Sequence, residues 1–182
     1  MRKSDEDRFR EFARGQAAVM RRSAFLLCGD WHLAEDLTQM TLVKMYRAWP
    51  KVSRTDRPIN YARRTLVNCW FDEWRRGWRR AELSMVEVPD QGDEQADPVH
   101  RQLNDELREQ LFDALFAVPP RQRAVLVLRY YEAFSVAETA ETLGCSEGTV
   151  KSQAARGLAT MKTALGDATA VSLLTGVEEE HR

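Results

Sequence analysis

The spacing of apolar residues is helical through most of this chain of 182 residues. Between Leu103 and Val118, for example, apolar side chains recur every three or four positions, the period of one face of an α-helix. No stretch alternates polar and apolar residues for long enough to predict a β-strand. The sequence therefore predicts an all-α fold, in which each helix buries one stripe of side chains.

A short segment interrupts this pattern and divides the chain in two. Residues 86–98 contain two prolines, one glycine and five acidic residues, a composition that favours a solvated linker. We predict two small helical domains, residues 5–80 and 103–165. An acidic linker at residues 81–102 would join them, and a tail at residues 166–182 would follow.

The net charge of −1 conceals a strong asymmetry along the chain. Residues 54–80 carry eight arginines against three acids, whereas residues 81–120 carry ten acids against two arginines. A second basic stretch, residues 121–162, has six basic and four acidic residues. Because local blocks of charge attract nucleic acid, the near-neutral total does not exclude a nucleic-acid-binding protein.

Other function classes find no support in the sequence. Cys28, Cys69 and Cys145 are far apart, which predicts buried or half-buried thiols instead of a disulfide framework or a zinc cluster. The three histidines are equally scattered, and no glycine-rich phosphate loop or nucleophile-elbow motif is present. There is no run of 18 apolar residues and no signal peptide. We therefore expect a cytoplasmic protein without a membrane span, catalytic site, metal or cofactor.

The segment that begins at Ser135 has the pattern of a helix-turn-helix. Ser135 and Glu138 have the spacing of a capping box, and Gly144 suits a left-handed turn. Ser146, with help from Thr149, would cap the second helix. The side chains predicted to face inward are Val136, Ala137, Ala140 and Leu143 on the first helix, and Val150, Ala154, Leu158 and Met161 on the second.

The opposite face of the second helix is small, polar and basic. It holds Thr149, Ser152, Ala155 and Arg156, flanked by Lys151 and Gln153. Such a helix fits the major groove of DNA, where arginine and lysine contact guanine or phosphate and glutamine can read adenine. On this geometry alone, an ordinary helical hairpin with a solvated outer face remains an alternative.

A helix predicted from Pro58 to Arg76 has a different outer face. Its inner side holds Ile59, Ala62, Leu66, Cys69 and Trp70. Its outer side holds Arg64, Asn68, Phe71 and Arg75, with Trp74 and Trp78 beside them. Arginines interleaved with aromatic residues and an asparagine are typical of single-stranded nucleic-acid binding. The alternative is that the aromatic rings belong to the core and that the arginine stems cover them.

The preceding predicted helix, from about Trp31 to Trp49, carries a stripe of its own. Asp36, Gln39, Val43 and Arg47 form that stripe. Apolar residues occupy much of the remaining circumference. A helix that is apolar on more than one side often packs into a core and also meets a partner. A solvated polar stripe is the alternative.

Four motifs, in this order, resemble the extracytoplasmic-function (ECF) sigma factors, dissociable subunits of bacterial RNA polymerase. They are AEDLTQ at 34–39, YARRTLVNCWFDEWRR at 61–76, VPPRQR at 118–123 and GCSEGTVKS at 144–152. The tryptophan-rich stretch at 70–78 resembles the SigE-like subgroup. The resemblance implies a region 2 helical bundle and a region 4 helix-turn-helix, and a role in promoter-specific transcription initiation.

The resemblance also implies partners and site residues. The core polymerase would bind through its β′ clamp helices and its β subunit, and the β′ contact would use Asp36, Gln39, Val43 and Arg47. The −10 promoter element would meet Arg63, Arg64, Asn68, Phe71, Trp74, Arg75 and Arg76, with Asn68 capturing a flipped base. The −35 element would meet Thr149, Lys151, Ser152, Gln153 and Arg156. An anti-sigma factor is a further expected partner.

Two other function classes compete with this interpretation. A dimeric helix-turn-helix regulator would bind duplex DNA without polymerase, but residues 1–80 offer no ligand-binding or phosphoacceptor module. An enzyme acting on nucleic acid would need clusters of carboxylates or histidines, which the sequence lacks.

Overall fold

The computed structural model describes residues 3–55, 57–83 and 105–166, and every regular element in these ranges is helical. The predicted all-α fold is confirmed for this part of the chain. Of the predicted linker at residues 81–102, the structure describes only 81–83, which are helical, and the predicted tail lies outside the described residues after residue 166. By compactness the chain divides into two units at residues 93 and 94.

The described part of the first unit contains three long helices. They are α1, Lys3–Cys28, α2, Trp31–Val52, and α3, Pro58–Leu83, and α2 packs against both others. Asp30 caps α2, because its side chain accepts a hydrogen bond of 2.8 Å from the Leu33 amide. The predicted start of α2 is confirmed, and both α2 and α3 continue beyond their predicted ends. The largest fully buried side chains of this unit are Met20, Leu27, Leu37, Met45 and Leu66.

The second unit contains four α-helices in its described part. They are α4, Asp105–Ala117, α5, Pro120–Leu126, α6, Val136–Leu143, and α7, Glu147–Leu165. A π-helical turn, Val127–Tyr131, extends α5, so this helix ends in a turn that is wider than an α-helical one. The helix α7 packs against α4, α5 and α6 and is therefore the central element of the unit.

Pro119 and Pro120 separate α4 from α5, because proline clashes with the preceding turn of a helix, and Pro120 is the first residue of α5. Arg123 holds this corner together from α5. Its Nη2 atom donates to the Phe116 carbonyl at 2.9 Å and to the Val118 carbonyl at 3.2 Å. Its guanidinium also lies 5.0 Å from the centre of the Phe116 ring. One side chain thus satisfies carbonyl groups that the end of α4 leaves without helical partners.

The inner face of α6 differs from its prediction. Ala137 is exposed, whereas Thr139 and Thr142, which were not predicted to face inward, are buried. The Thr139 hydroxyl donates to the Ser135 carbonyl at 2.9 Å, so the side chain is buried without leaving a polar atom unsatisfied. The local hydrogen bond therefore allows a polar residue to take the inward position.

Candidate nucleic-acid interface

The helix α3 buries one side and exposes the other, as the sequence predicts. Its buried side chains are Ala62, Leu66, Val67, Cys69 and Trp70, and the predicted inward residue Ile59 is half-buried. At 100° per residue, Arg64, Asn68 and Arg75 fall on the opposite side, and all three are exposed. The burial of one face holds α3 in place while its basic face remains open to a partner.

The residues predicted to meet single-stranded DNA differ in how available they are. Arg64, Asn68, Trp74, Arg75 and Arg76 are exposed, while Arg63 and Phe71 are half-buried. The indole of Trp74 is 39% exposed, enough to offer a stacking surface. The Phe71 ring lies 4.8 Å from the ring of buried Trp70 and thus borders the core. The side chain of Trp78 lies outside the described residues.

Sequence reasoning missed one aromatic residue on this face. Tyr61 is 41% exposed and lies seven residues before Asn68, which is close to two helical turns. Both side chains therefore project from the same side of α3. The helical spacing from Asn68 was the signal that could have identified it.

The stripe on α2 is open along its whole length. Asp36, Gln39, Val43 and Arg47 are all exposed. Val43 is 50% exposed, so the stripe includes an accessible apolar side chain. Tyr46 beside it is 43% exposed and meets the edge of the Phe9 ring with centroids 5.2 Å apart. The stripe thus combines charged, polar and apolar groups, a mixture typical of protein interfaces.

The second unit holds the helix-turn-helix predicted from the sequence. Ser135 caps α6 with a reciprocal capping box, because its hydroxyl accepts from the Glu138 amide at 3.1 Å and the Glu138 carboxylate accepts from the Ser135 amide at 2.9 Å. Gly144 ends α6 in the left-handed conformation, with φ of 64°. Val125, Ala140 and Val150 form the core that joins α5, α6 and α7.

The first turn of α7 is fixed by its own hydroxyl groups. Ser146 accepts a hydrogen bond from the Thr149 amide at 3.1 Å, and the hydroxyls of Ser146 and Thr149 lie 2.9 Å apart. The Ser152 hydroxyl donates to the Thr149 carbonyl at 3.0 Å. The predicted cap is confirmed, and the end of the helix that would enter a groove is well defined.

The outer face of α7 is the one that the sequence predicts. Thr149, Lys151, Ser152 and Arg156 are exposed, and Gln153 is half-buried. On the inner face Val150 is buried, and Ala154, Leu158 and Met161 are half-buried. Sequence reasoning missed Gly157, which is buried. A methyl group added at this position would lie 3.0 Å from Cδ1 of Leu126. The glycine allows α7 to approach α5 closely.

The two faces suit different forms of nucleic acid. A capped helix with a small, polar and basic outer face can enter the major groove and contact base edges. A helix that exposes tryptophan, tyrosine, asparagine and arginine can instead stack unpaired bases and hold their phosphates. Both faces are present in the chain, each in its own unit.

Other kinds of site are absent from the part of the chain that the structure describes. Within residues 3–55, 57–83 and 105–166, no group of three or more histidine, cysteine or acidic residues could hold a metal ion. Cys69 is buried and the other two cysteines are half-buried, which confirms their predicted environments. Among the same described residues, no helix is long and apolar enough to cross a membrane.

Comparison with protein families identifies the class of protein. Residues 10–80 match the model of sigma-70 region 2, and residues 108–161 match the model of sigma-70 region 4. The chain belongs to the sigma-70 family of RNA polymerase sigma factors. The match of the first unit to region 2 favours this family over the dimeric regulator.

Two relatives of this chain are a sigma-E factor and an ECF sigma factor. The RNA polymerase sigma-E factor of Streptomyces avermitilis is 35% identical over 157 residues, which are 86% of this chain and 84% of that protein. The ECF sigma factor SigL of Mycobacterium tuberculosis is 33% identical over 138 residues, 75% of this chain and 77% of the relative. The ECF resemblance inferred from the motifs is confirmed.

A solved structure shares the fold. The sigma factor RpoE of Bartonella quintana, crystallised with the anti-sigma factor NepR, superimposes with a TM-score of 0.71 at 22% sequence identity. The match covers 88% of this chain and 98% of that one.

Proposed function

We propose that this chain directs the core RNA polymerase to a subset of promoters by reading the −35 element with α7 and the −10 element with α3. The observation that carries the proposal is the pair of exposed faces, one suited to duplex DNA and one to single strands. The family membership supports it, because sigma factors are the polymerase subunits that select promoters.

The contact with the −35 element would use the outer face of α7. Arg156 and Lys151 carry the positive charge, and their exposure lets them reach guanine edges or phosphates. Thr149, Ser152 and Gln153 supply hydroxyl and amide groups near the capped end of the helix. Small neighbours such as Ala155 permit the helix to enter the groove without steric conflict.

The contact with the −10 element would use the outer face of α3. Asn68 would hydrogen-bond the edge of a base that has left the duplex, and Trp74 would stack an unpaired base. Arg64, Arg75 and Arg76 would hold the strand through its phosphates. Arg63 and Phe71, which are half-buried, would act at the border of the site. Stacking and phosphate contacts together offset the cost of opening base pairs, which favours promoter melting.

The stripe on α2 would bind the polymerase itself. Asp36, Gln39, Val43 and Arg47 present a mixed surface to the β′ clamp helices, and the β subunit would be a further contact of the chain. We assign no catalytic role to the chain, because the polymerase carries out the chemistry. A polymerase partner also implies a cytoplasmic site of action.

An anti-sigma factor is part of the proposal as well. The Bartonella RpoE of similar fold was captured in complex with such a partner. A partner of this kind would compete with the polymerase for the chain and thereby set when transcription begins.

The direct test is transcription reconstituted from purified components. The chain plus core polymerase should produce transcripts from a promoter found by mapping start sites after overexpression of the chain. Core polymerase alone should produce none from the same template. Equal transcription with and without the chain would contradict the proposal.

The docking stripe has a separate test. Asp36→Ala and Gln39→Ala should weaken capture of core polymerase by the immobilised chain, because each removes a polar contact from the stripe. Glu11→Ala, which removes an exposed acid from α1 instead of α2, is the matched control and should bind normally. Equal capture by all three variants would refute this docking face.

A further inference from the structure

The outer face of α3 contains an acidic residue where its proposed partner is a polyanion. Asp72 follows Asn68 by four residues, so it lies one turn further along the same exposed side. Glu73, the next residue, is half-buried at the inner side of the helix and reaches Arg76 from there. A surface that only had to attract phosphates would carry no carboxylate at its centre.

Each acid is paired with an arginine of the proposed site. The Asp72 Oδ1 atom lies 3.1 Å from Nη2 of Arg75, whose Nε atom donates to the Phe71 carbonyl at 3.1 Å. The Glu73 Oε2 atom lies 3.0 Å from Nη1 of Arg76. The arginine side chains remain 61% and 55% exposed. Both guanidinium groups therefore face solvent with a carboxylate beside them.

These ion pairs contribute little to the stability of the fold, because water screens charges at the surface. Their effect on an incoming strand is larger. A phosphate that approaches Arg75 meets a nearly neutral pair, and it must displace the carboxylate before it gains the full attraction of the guanidinium. The binding free energy that comes from contacts with the phosphate backbone of the strand is therefore reduced, while the contacts of Asn68 and Trp74 with bases are unaffected.

We propose that Asp72 and Glu73 are specificity-determining residues, which lower the affinity of the free chain for nucleic acid of arbitrary sequence by neutralising Arg75 and Arg76. Specificity is a difference between affinities, so weakening the contacts that every strand offers increases discrimination. The inference rests on the proposed −10 face of α3. The two carboxylates would weaken the binding of phosphates to that face until base contacts and the polymerase place the correct strand there.

The test measures binding of the free, full-length chain to a fluorescently labelled single strand of mixed sequence. Asp72→Asn and Glu73→Gln keep the size of each side chain and an acceptor oxygen but remove the charge. We expect each variant to bind about 3-fold more tightly at low salt, with a gain that shrinks as salt rises. Release of one arginine should also steepen the slope of log affinity against log salt by about 0.7.

Three further variants make the outcome decisive. Glu35→Gln on α2 removes the same charge from the same unit and should leave the affinity unchanged. Arg75→Ala should weaken binding, and in that background Asp72→Asn should leave the slope of log affinity against log salt unchanged, because no guanidinium is released. A steeper slope without Arg75, or no gain in affinity relative to Glu35→Gln, would overturn the inference. If Arg75→Ala itself left binding unchanged, the proposed −10 face would be wrong. Misfolding cannot produce the expected gain in affinity.

Discussion

The two helices that carry the candidate interfaces, α3 and α7, differ in the part of the helix that is presented and in the side chains that are exposed. The helix α3 is 26 residues long and presents the middle of its length, where exposed aromatic rings alternate with arginines paired to acids. The helix α7 is 19 residues long and presents an end that two hydroxyl groups fix. Its outer face has no large apolar side chain.

This difference indicates what each helix can recognise. Base edges in a duplex are rigidly placed, so their reader needs a fixed helix end and a thin outer face that enters the groove. Unpaired bases are mobile and expose their flat faces, so their reader needs aromatic surface and spaced positive charge. The contrast between α3 and α7 is therefore the physical basis for proposing two kinds of DNA contact in one chain.

The largest effect should come from weakening the packing of α3 against the core of the first unit. Leu66 is 1% exposed on the inner face of this helix. Leu66→Ala should lower the free energy of unfolding of the first unit by about 2–5 kcal/mol, because it leaves a cavity in the core. Urea unfolding followed by circular dichroism measures the loss. Thr65→Ala, at a half-buried neighbour, is the control, and equal midpoints would show that α3 does not depend on this face.

The second largest effect should be the loss of duplex binding when the outer face of α7 is changed. Arg156→Ala should cost about 1–3 kcal/mol of polymerase-dependent binding to a −35 duplex if the guanidinium contacts a base. Binding of a −10 single strand by the same complex should be unchanged. Footprints that keep full protection at the −35 element would reduce Arg156 to an ordinary surface residue.

A substitution on the outer face of α3 should weaken binding to the single strand and leave binding to the duplex unchanged. Trp74→Ala should cost about 1–2 kcal/mol of binding to a −10 single strand, because a stacking surface is lost. Trp74→Phe should recover part of the loss, since a smaller ring still stacks. Anisotropy titrations with the single strand and with a −35 duplex separate the two activities. Equal losses on both would remove the distinction between α3 and α7.

The smallest effects should come from one glycine in each helix. Gly77→Ala on α3 should raise stability by about 0.5–1 kcal/mol, because the added methyl meets nothing within 4 Å and alanine favours a helix. Gly157→Ala on α7 should lower stability by about 1 kcal/mol, because the methyl crowds buried Leu126. Thermal unfolding of both variants gives the signs. Stabilisation by both would mean that α7 has room against α5.

The motifs that depend on neighbours in the sequence were predictable. The capping box of Ser135 and Glu138, the left-handed Gly144 and the cap at Ser146 each involve residues within a few positions of one another. The helical period likewise assigned the inner face of α3 and the outer face of α7. Their roles toward polymerase and DNA stay predictions until the variants above are measured.

Other features needed the folded chain. The sequence did not indicate that Tyr61 would be left uncovered, that Thr139 would be buried in place of Ala137, or that Gly157 would contact Leu126. The pairs Asp72–Arg75 and Glu73–Arg76 are different, because each joins residues three positions apart on α3, and that spacing was the signal that could have identified them.

The sequence by itself thus determined the helices, their caps and turns, and the family to which the chain belongs. The tertiary structure decided which side chains are covered and how closely two helices approach. The physical reason is the range of the interactions involved. Helical period and capping act between residues one turn apart, whereas burial and close packing depend on side chains that are distant in sequence and meet only in the folded unit.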